Sequence, residues 1–204
     1  MDFVCLDLES VLIPEIWVEF AQRTGIEALR ATTREVSDYE ILMRQRLRLL
    51  KKYDLKITDI QSVISEITPL PGAIEFLAWL RPRYQIAIIS DTFYEFSKPL
   101  MQKLSWPTLL AHHLICDEKG TVINYKLRQK DAKRHCIIAL QRLGYQVIAV
   151  GDSHNDISML EQAEAGILFR SPQDVKAAYP QFVVTQTYNE LKEQIIKSSS
   201  HENC

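Results

Sequence analysis

Five short apolar runs punctuate the chain, at residues 1–8 (through Phe3, Val4, Cys5 and Leu6), 84–89, 146–150, 166–169 and 182–184. Amphipathic segments of helical spacing lie among them, at residues 73–80, 94–104, 133–143 and 156–163. Continuous apolar strands alternating with helices predict a parallel sheet covered on both faces. Thr187 and Glu190 stand at capping-box spacing, which predicts the start of a last helix.

Two regions break the alternation. Residues 14–69 read as almost wholly helical, with no strand pattern, and are expected to form a helical subdomain inserted after the first strand. The main domain would then comprise residues 1–13 and 70–204. Residues 111–128 carry His113-Leu114-Ile115-Cys116 and Val122-Ile123-Asn124-Tyr125 around Glu118-Lys119-Gly120, the pattern of a small β-hairpin. Residues 198–204 read as a disordered tail. The expected fold is α/β: a Rossmann-like, doubly wound parallel sheet with an inserted helical cap and a small hairpin.

At 100° per residue, Tyr39, Leu42, Met43, Leu47, Leu49, Leu50 and Tyr53 fall on one stripe of the inserted region. Arg46 falls within that stripe, whereas Arg44 and Arg48 fall on the opposite side. A guanidinium among apolar side chains is costly without an anionic partner. That partner can be a substrate or a structural acid.

With 204 residues the chain can bury a full core, and its formal charge of −2 gives no reason to expect a nucleic-acid partner. No apolar run reaches membrane-spanning length and the N-terminus lacks a signal-peptide pattern, so the chain reads as cytoplasmic. Cys5, Cys116, Cys136 and Cys204 are scattered, with no CxxC spacing, and Cys5 reads as a buried reduced thiol. His112-His113 with Cys116 would be a poor metal site, because neighbours on a strand face opposite ways.

The chemistry gathers at strand ends. Asp7 and Glu9, two apart after the first apolar run, can face one spot; taken alone, such a pair is more often only a polar strand end. Gly151-Asp152-Ser153-His154-Asn155-Asp156 follows the run at 146–150. Helix capping accounts for one of those acids but hardly the set. Paired acidic strand ends suit a hard divalent cation such as Mg²⁺, which keeps water and completes its shell with phosphate. Ser90-Asp91-Thr92 ends another run before a helix, where a hydroxyl and N–H groups suit a phosphate or simply cap the helix. Lys133 opens the helix before the Asp152 strand.

Taken in this order, these four sites resemble the motifs of the haloacid-dehalogenase superfamily. Within it the chain is similar to phosphoserine phosphatases, in the segment from Gly151 to Met159, in Thr68-Pro69-Leu70-Pro71-Gly72-Ala73 and in Met43-Arg44-Gln45-Arg46. The resemblance covers essentially the whole chain and makes the helical insertion a cap. It implies that Asp7 is the nucleophile and becomes an aspartyl phosphate. Mg²⁺ would be held by Asp7, Asp152 and the backbone carbonyl of Glu9, with Asp156 supporting them from behind. Ser90, Lys133 and Asn155 would bind the phosphoryl group, Glu9 would be the acid/base, and Arg46 and Glu15 would hold the substrate carboxylate and ammonium. Two departures from the family stand out: Glu9 stands where Asp is usual, and Asp91-Thr92 replaces a pair of glycines beside the substrate pocket. Asp7–Glu9, Pro14–Trp17, Ser90–Phe96 and Arg128–Asp131 together resemble a bacterial subfamily that also transfers the phosphoryl group to homoserine. The other readings are a capped phosphatase for a different small phosphomonoester, or a phospho-aspartate signalling receiver. In receivers the acids precede the hydroxyl and lysine, the reverse of the order here.

Overall fold

The computed structural model describes residues 1–32, 36 and 38–200. Seven strands form one sheet: β1 (Asp2–Leu6), β2 (Gln85–Phe93), β3 (Thr108–Cys116), β4 (Val122–Lys126), β5 (Gln146–Gly151), β6 (Ala165–Phe169) and β7 (Val183–Thr185). Their order is β4-β3-β2-β1-β5-β6-β7, all parallel except the β3–β4 hairpin. The chain winds outward from β1 through β2 to β3, then crosses to β5 on the other side of β1. That reversal opens a crevice between β1 and β5 at the carboxyl ends of the strands, where such sheets bind ligands.

Side-chain alternation along the strands feeds two cores. Val4, Leu6, Ile88, Ile148, Val150, Ile167 and Phe169 pack to one face, against α4 (Ala73–Leu80), α5 (Tyr94–Lys103) and α9 (Tyr188–Ser198). Cys5, Ile89, Val147, Ala149 and Leu168 pack to the other, against α6 (Ala132–Arg142), α7 (Ile157–Gln162) and α8 (Gln173–Ala178). The expected doubly wound architecture is therefore present. Thr187 caps α9 as its spacing predicts: its Oγ1 accepts the Glu190 N–H at 3.2 Å, and the Glu190 carboxylate accepts the N–H groups of Gln186 and Thr187.

Between β1 and α4 the described chain is helical, comprising α1 (Ile16–Thr24), a 3-10 turn at Glu27–Leu29, α2 (Tyr39–Lys52) and α3 (Ile57–Glu66). This inserted cap is tied to the sheet domain by polar contacts. The Tyr39 hydroxyl donates to the Asp91 carbonyl at 3.0 Å, and Gln61 Nε2 donates to the Glu95 carbonyl at 2.7 Å. Ile57 N–H donates to the Gly120 carbonyl at 2.9 Å, so the β3–β4 turn also holds the cap.

Several expectations need correction. β3 is much longer than the hairpin arm read from His113–Cys116, because its first half pairs parallel with β2. α8 was not anticipated. Tyr53 is exposed rather than on the buried stripe of α2, since it caps the helix end where the 3.6-residue phase stops applying. Of the tail, Ser199 and Ser200 are anchored: both hydroxyls and the Ser200 N–H donate to the buried Asp2 carboxylate. Residues 201–204, including Cys204, lie outside the described residues.

Candidate active site

Asp7 follows β1 directly, and its N–H donates to the Val150 carbonyl at 2.9 Å, extending the β1–β5 pairing by one residue. This contact brings Asp7 and Asp152 side by side at the crevice. The carboxylates of Asp7, Asp152 and Asp156 are buried and present oxygens within 4.8 Å of one another. Asp156 braces the group: its Oδ2 accepts the N–H groups of Asp152 (2.9 Å) and Ser153 (3.1 Å), and its Oδ1 accepts from Lys133 Nζ at 2.6 Å. The close approach requires Gly151, because a Cβ there would stand 2.4 Å from Asp156 Cβ and Cγ.

Lys133, 3 % exposed at the start of α6, is shared among acids. Its Nζ lies 3.0 Å from Asp7 Oδ1 and 3.8 Å from Asp91 Oδ2, besides the bond to Asp156. The contact to Asp7 is a close charge pair, and among the described residues buried Oδ1 of Asp7 has no hydrogen-bond partner of good geometry. Burial alone would lower the lysine's pKa, but Asp156, Asp7 and Asp91 outweigh it and hold it well above the usual lysine range. Burial and the neighbouring Asp156 push the Asp7 carboxyl well above the carboxylate range, against the pull of Lys133. A buried acidic cage with an unsatisfied carboxylate oxygen fits a hard divalent cation bound through oxygen.

Glu9 and Glu15 form a second acidic pair where β1 leads into the cap. Glu9 Oε2 accepts the Ile16 N–H at the start of α1 (2.8 Å), and Glu15 Oε1 accepts from Ser10 Oγ (3.0 Å). Burial, followed by repulsion from Glu15, pushes the Glu9 carboxyl up to about 8. At neutral pH Glu9 therefore carries a proton it can donate.

Arg46 projects from α2 into the same space and is 7 % exposed, while Arg44 and Arg48 are exposed as expected. Its guanidinium lies 4.4 Å above the Trp17 ring, and one of its terminal nitrogens donates to the Ala31 carbonyl at 2.9 Å. Its Nε has no hydrogen-bond partner among the described residues. Burial lowers its pKa to about 10, against the attraction of Tyr39, Glu9 and Glu15.

One small cavity of about 50 Å³ joins these groups. Of the residues singled out from the sequence, it is bordered by Asp7, Glu9 and Asp152; Ser90, Asp91, Lys133 and Asn155; and Glu15 and Arg46 from the cap side, while Asp156 stands behind them. Trp17, Thr32, Tyr39 and Ser153 also line it. The Tyr39 position in an apolar stripe hid its hydroxyl, and Thr32 carried no sequence signal. His112, set aside above as a metal ligand, is buried and lies against the site, its Nε2 3.3 Å from Asp91 Oδ1. Burial alone would raise the Asp91 carboxyl. Lys133, His112 and Asn155 together hold it well below the usual carboxylate range.

The comparisons agree with this geometry. The family model for haloacid dehalogenase-like hydrolases matches residues 1–164. A phosphoserine phosphatase of Pseudomonas syringae pv. tomato is 56 % identical over 202 residues, covering 99 % of this chain and 85 % of that protein. The phosphoserine phosphatase ThrH of Pseudomonas aeruginosa is also 56 % identical, with 98 % of each chain covered. A crystal structure of phosphoserine phosphatase in apo form superposes with a TM-score of 0.76 at 25 % identity, covering 96 % of this chain and 98 % of that one. With an acid-lined crevice at the strand ends and a family model spanning most of its length, the chain belongs to the haloacid dehalogenase-like hydrolases.

Proposed function

We propose that this protein is a Mg²⁺-dependent phosphoserine phosphatase that works through an aspartyl phosphate at Asp7 and can also pass the phosphoryl group to homoserine. The observation that carries this reading is the single cavity with Asp7 at the sheet side and buried Arg46 and Glu15 at the cap side. Those groups match the phosphate, carboxylate and ammonium of one small zwitterion. The relatives described above support the substrate.

Asp7, Asp152 and the backbone carbonyl of Glu9 would hold Mg²⁺, which when bound supplies positive charge opposite the phosphoryl oxygens. The Asp7 carboxylate attacks phosphorus, forming the acyl phosphate as the bond to the serine oxygen breaks. Glu9, protonated at neutral pH, gives its proton to that leaving oxygen. Lys133, Ser90 and Asn155 orient and neutralise the phosphoryl oxygens. In the second half, Glu9 takes a proton from the acceptor as its oxygen attacks phosphorus and Asp7 is released. Water yields inorganic phosphate; homoserine, seated on the same Arg46 and Glu15, yields phosphohomoserine. Residues 14–69 act as the cap that encloses the substrate.

The test is incubation with L-phosphoserine and Mg²⁺, with and without L-homoserine, following phosphate and phosphohomoserine. Absence of turnover would overturn the substrate assignment. Phosphate without phosphohomoserine would reject transfer to homoserine alone.

A further inference from the structure

Asp91 borders two cavities. Besides the active-site cavity it faces a second, larger one of about 280 Å³, lined by His112, Leu127, Gln129 and His154 among others. Tyr39, Lys133 and Asn155 border both. Arg46, Glu15 and Trp17 border only the first, so the second reaches the phosphoryl-binding groups from the side away from the substrate's amino-acid handles.

The Asp91 carboxylate spans the gap between these spaces. Its Oδ1 faces His112 Nε2 on β3 at 3.3 Å, and its Oδ2 accepts from Asn155 Nδ2 at 2.9 Å. His112 is 3 % exposed, and its Nδ1 accepts the Arg128 N–H at 3.1 Å. A backbone N–H can only donate, so the ring proton sits on Nε2 and points at Asp91. The loop after β4 thereby fixes the histidine, and the histidine fixes the carboxylate. The Tyr39 hydroxyl on the Asp91 carbonyl holds the same residue from the cap.

We propose that Asp91, held by His112, is a partition that closes a solvent route to the phosphoryl group, making His112 a positioning residue that favours an amino alcohol over water as acceptor. This rests on the phospho-Asp7 reading. Breakdown of that intermediate cleaves the bond between phosphorus and the Asp7 oxygen and joins phosphorus to the acceptor oxygen, whose proton passes to Glu9. Water arriving through the second cavity gives phosphate. Serine seated beneath the cap returns phosphoserine.

The experiment supplies L-phosphoserine, Mg²⁺ and isotopically labelled L-serine, and measures labelled phosphoserine formed per phosphate released. This ratio does not depend on how much of a variant is folded. His112→Asn keeps an acceptor for the Arg128 N–H but loses the donor to Asp91; His112→Gln puts an amide donor near the Nε2 position. Losing one hydrogen bond to the partition is expected to lower the ratio about three- to tenfold in His112→Asn, while His112→Gln stays within about twofold of wild type. An unchanged ratio in His112→Asn, or an equal or larger fall in His112→Gln, would overturn the proposal and leave phospho-Asp7 standing. Wild-type enzyme that releases phosphate without any label exchange would likewise overturn the partition, since water would then outrun the seated amino alcohol, whereas the phospho-Asp7 reading falls only if no phosphate is bonded to Asp7 during turnover.

Discussion

Replacing Arg46 with Met separates a substrate-binding role from a structural one. The change removes the guanidinium and keeps an unbranched stem of similar reach between Leu42, Met43 and Leu50 on the buried face of α2. In the free protein the loss includes the hydrogen bond to Ala31, about 1 kcal/mol, a weak one to Met43 Sδ, and the cation–π contact with Trp17, about 0.5–2 kcal/mol. Against this stands relief of a desolvated charge whose Nε lacks a partner among the described residues, a penalty of about 1–3 kcal/mol for the orphaned donor alone. These terms nearly cancel, so the melting temperature without substrate should stay within a few degrees of wild type or rise. With phosphoserine bound, the balance differs. The substrate carboxylate would be left buried without its partner, which costs about 3–5 kcal/mol, or roughly two to three and a half orders of magnitude in kcat/KM. Steady-state kinetics with L-phosphoserine and a thermal melt of the free protein read the two effects separately. A drop in melting temperature beyond about 5 °C with kcat/KM nearly unchanged would refute the reasoning and make Arg46 a structural cation.

Gly151→Ala should force Asp156 away from Lys133 and from the Asp152 and Ser153 N–H groups, because the added Cβ overlaps its carboxyl. About 1–3 kcal/mol of stability should be lost with most of the phosphatase activity, and a melt beside an activity assay checks both. Glu9 holds its proton up to about 8, well above the ordinary glutamic value, so its acid form is present below that pH and disappears as pH rises through it. The burst of serine release should therefore be flat below about pH 8 and fall about tenfold per unit above it, and Glu9→Gln should be slow at every pH without that limb. Titrating Mg²⁺ into metal-stripped protein should raise the melting temperature of wild type but not of Asp152→Asn, a response seen without any turnover. An equal rise in both would remove Asp152 from the metal site.

The sheet was legible because its strands are buried on both faces and read as continuous apolar runs, which Cys5 and Val4 illustrate by packing into opposite cores. The acids at the strand ends were legible for a related reason: Asp7 and Asp152 are carboxylates at the ends of apolar runs, whereas Lys133, preceded by a polar segment, stood out only by its place in the order of motifs. Arg46 stood out by its phase on α2. Other features depend on tertiary contacts with no local signature. The first half of β3 looks unremarkable until it pairs with β2. Asp2 captures Ser199 and Ser200 from almost the whole chain length away. His112 resembled one of two adjacent histidines on a strand, and that reading placed it on one face and His113 on the other. Its partners, Asp91 and the Arg128 N–H, could be identified only once β2, β3 and the loop after β4 were assembled.

The central claim is that phosphorus becomes bonded to Asp7. The most direct measurement is acid quenching of the enzyme during turnover of phosphorus-labelled L-phosphoserine, followed by borohydride reduction and peptide mass spectrometry. Reduction of an aspartyl phosphate converts that aspartate to homoserine, so the account predicts this conversion at position 7, dependent on substrate and absent in Asp7→Asn. Continued phosphate release with Asp7 unmodified at every quench time, or label lodged on another residue, would contradict it.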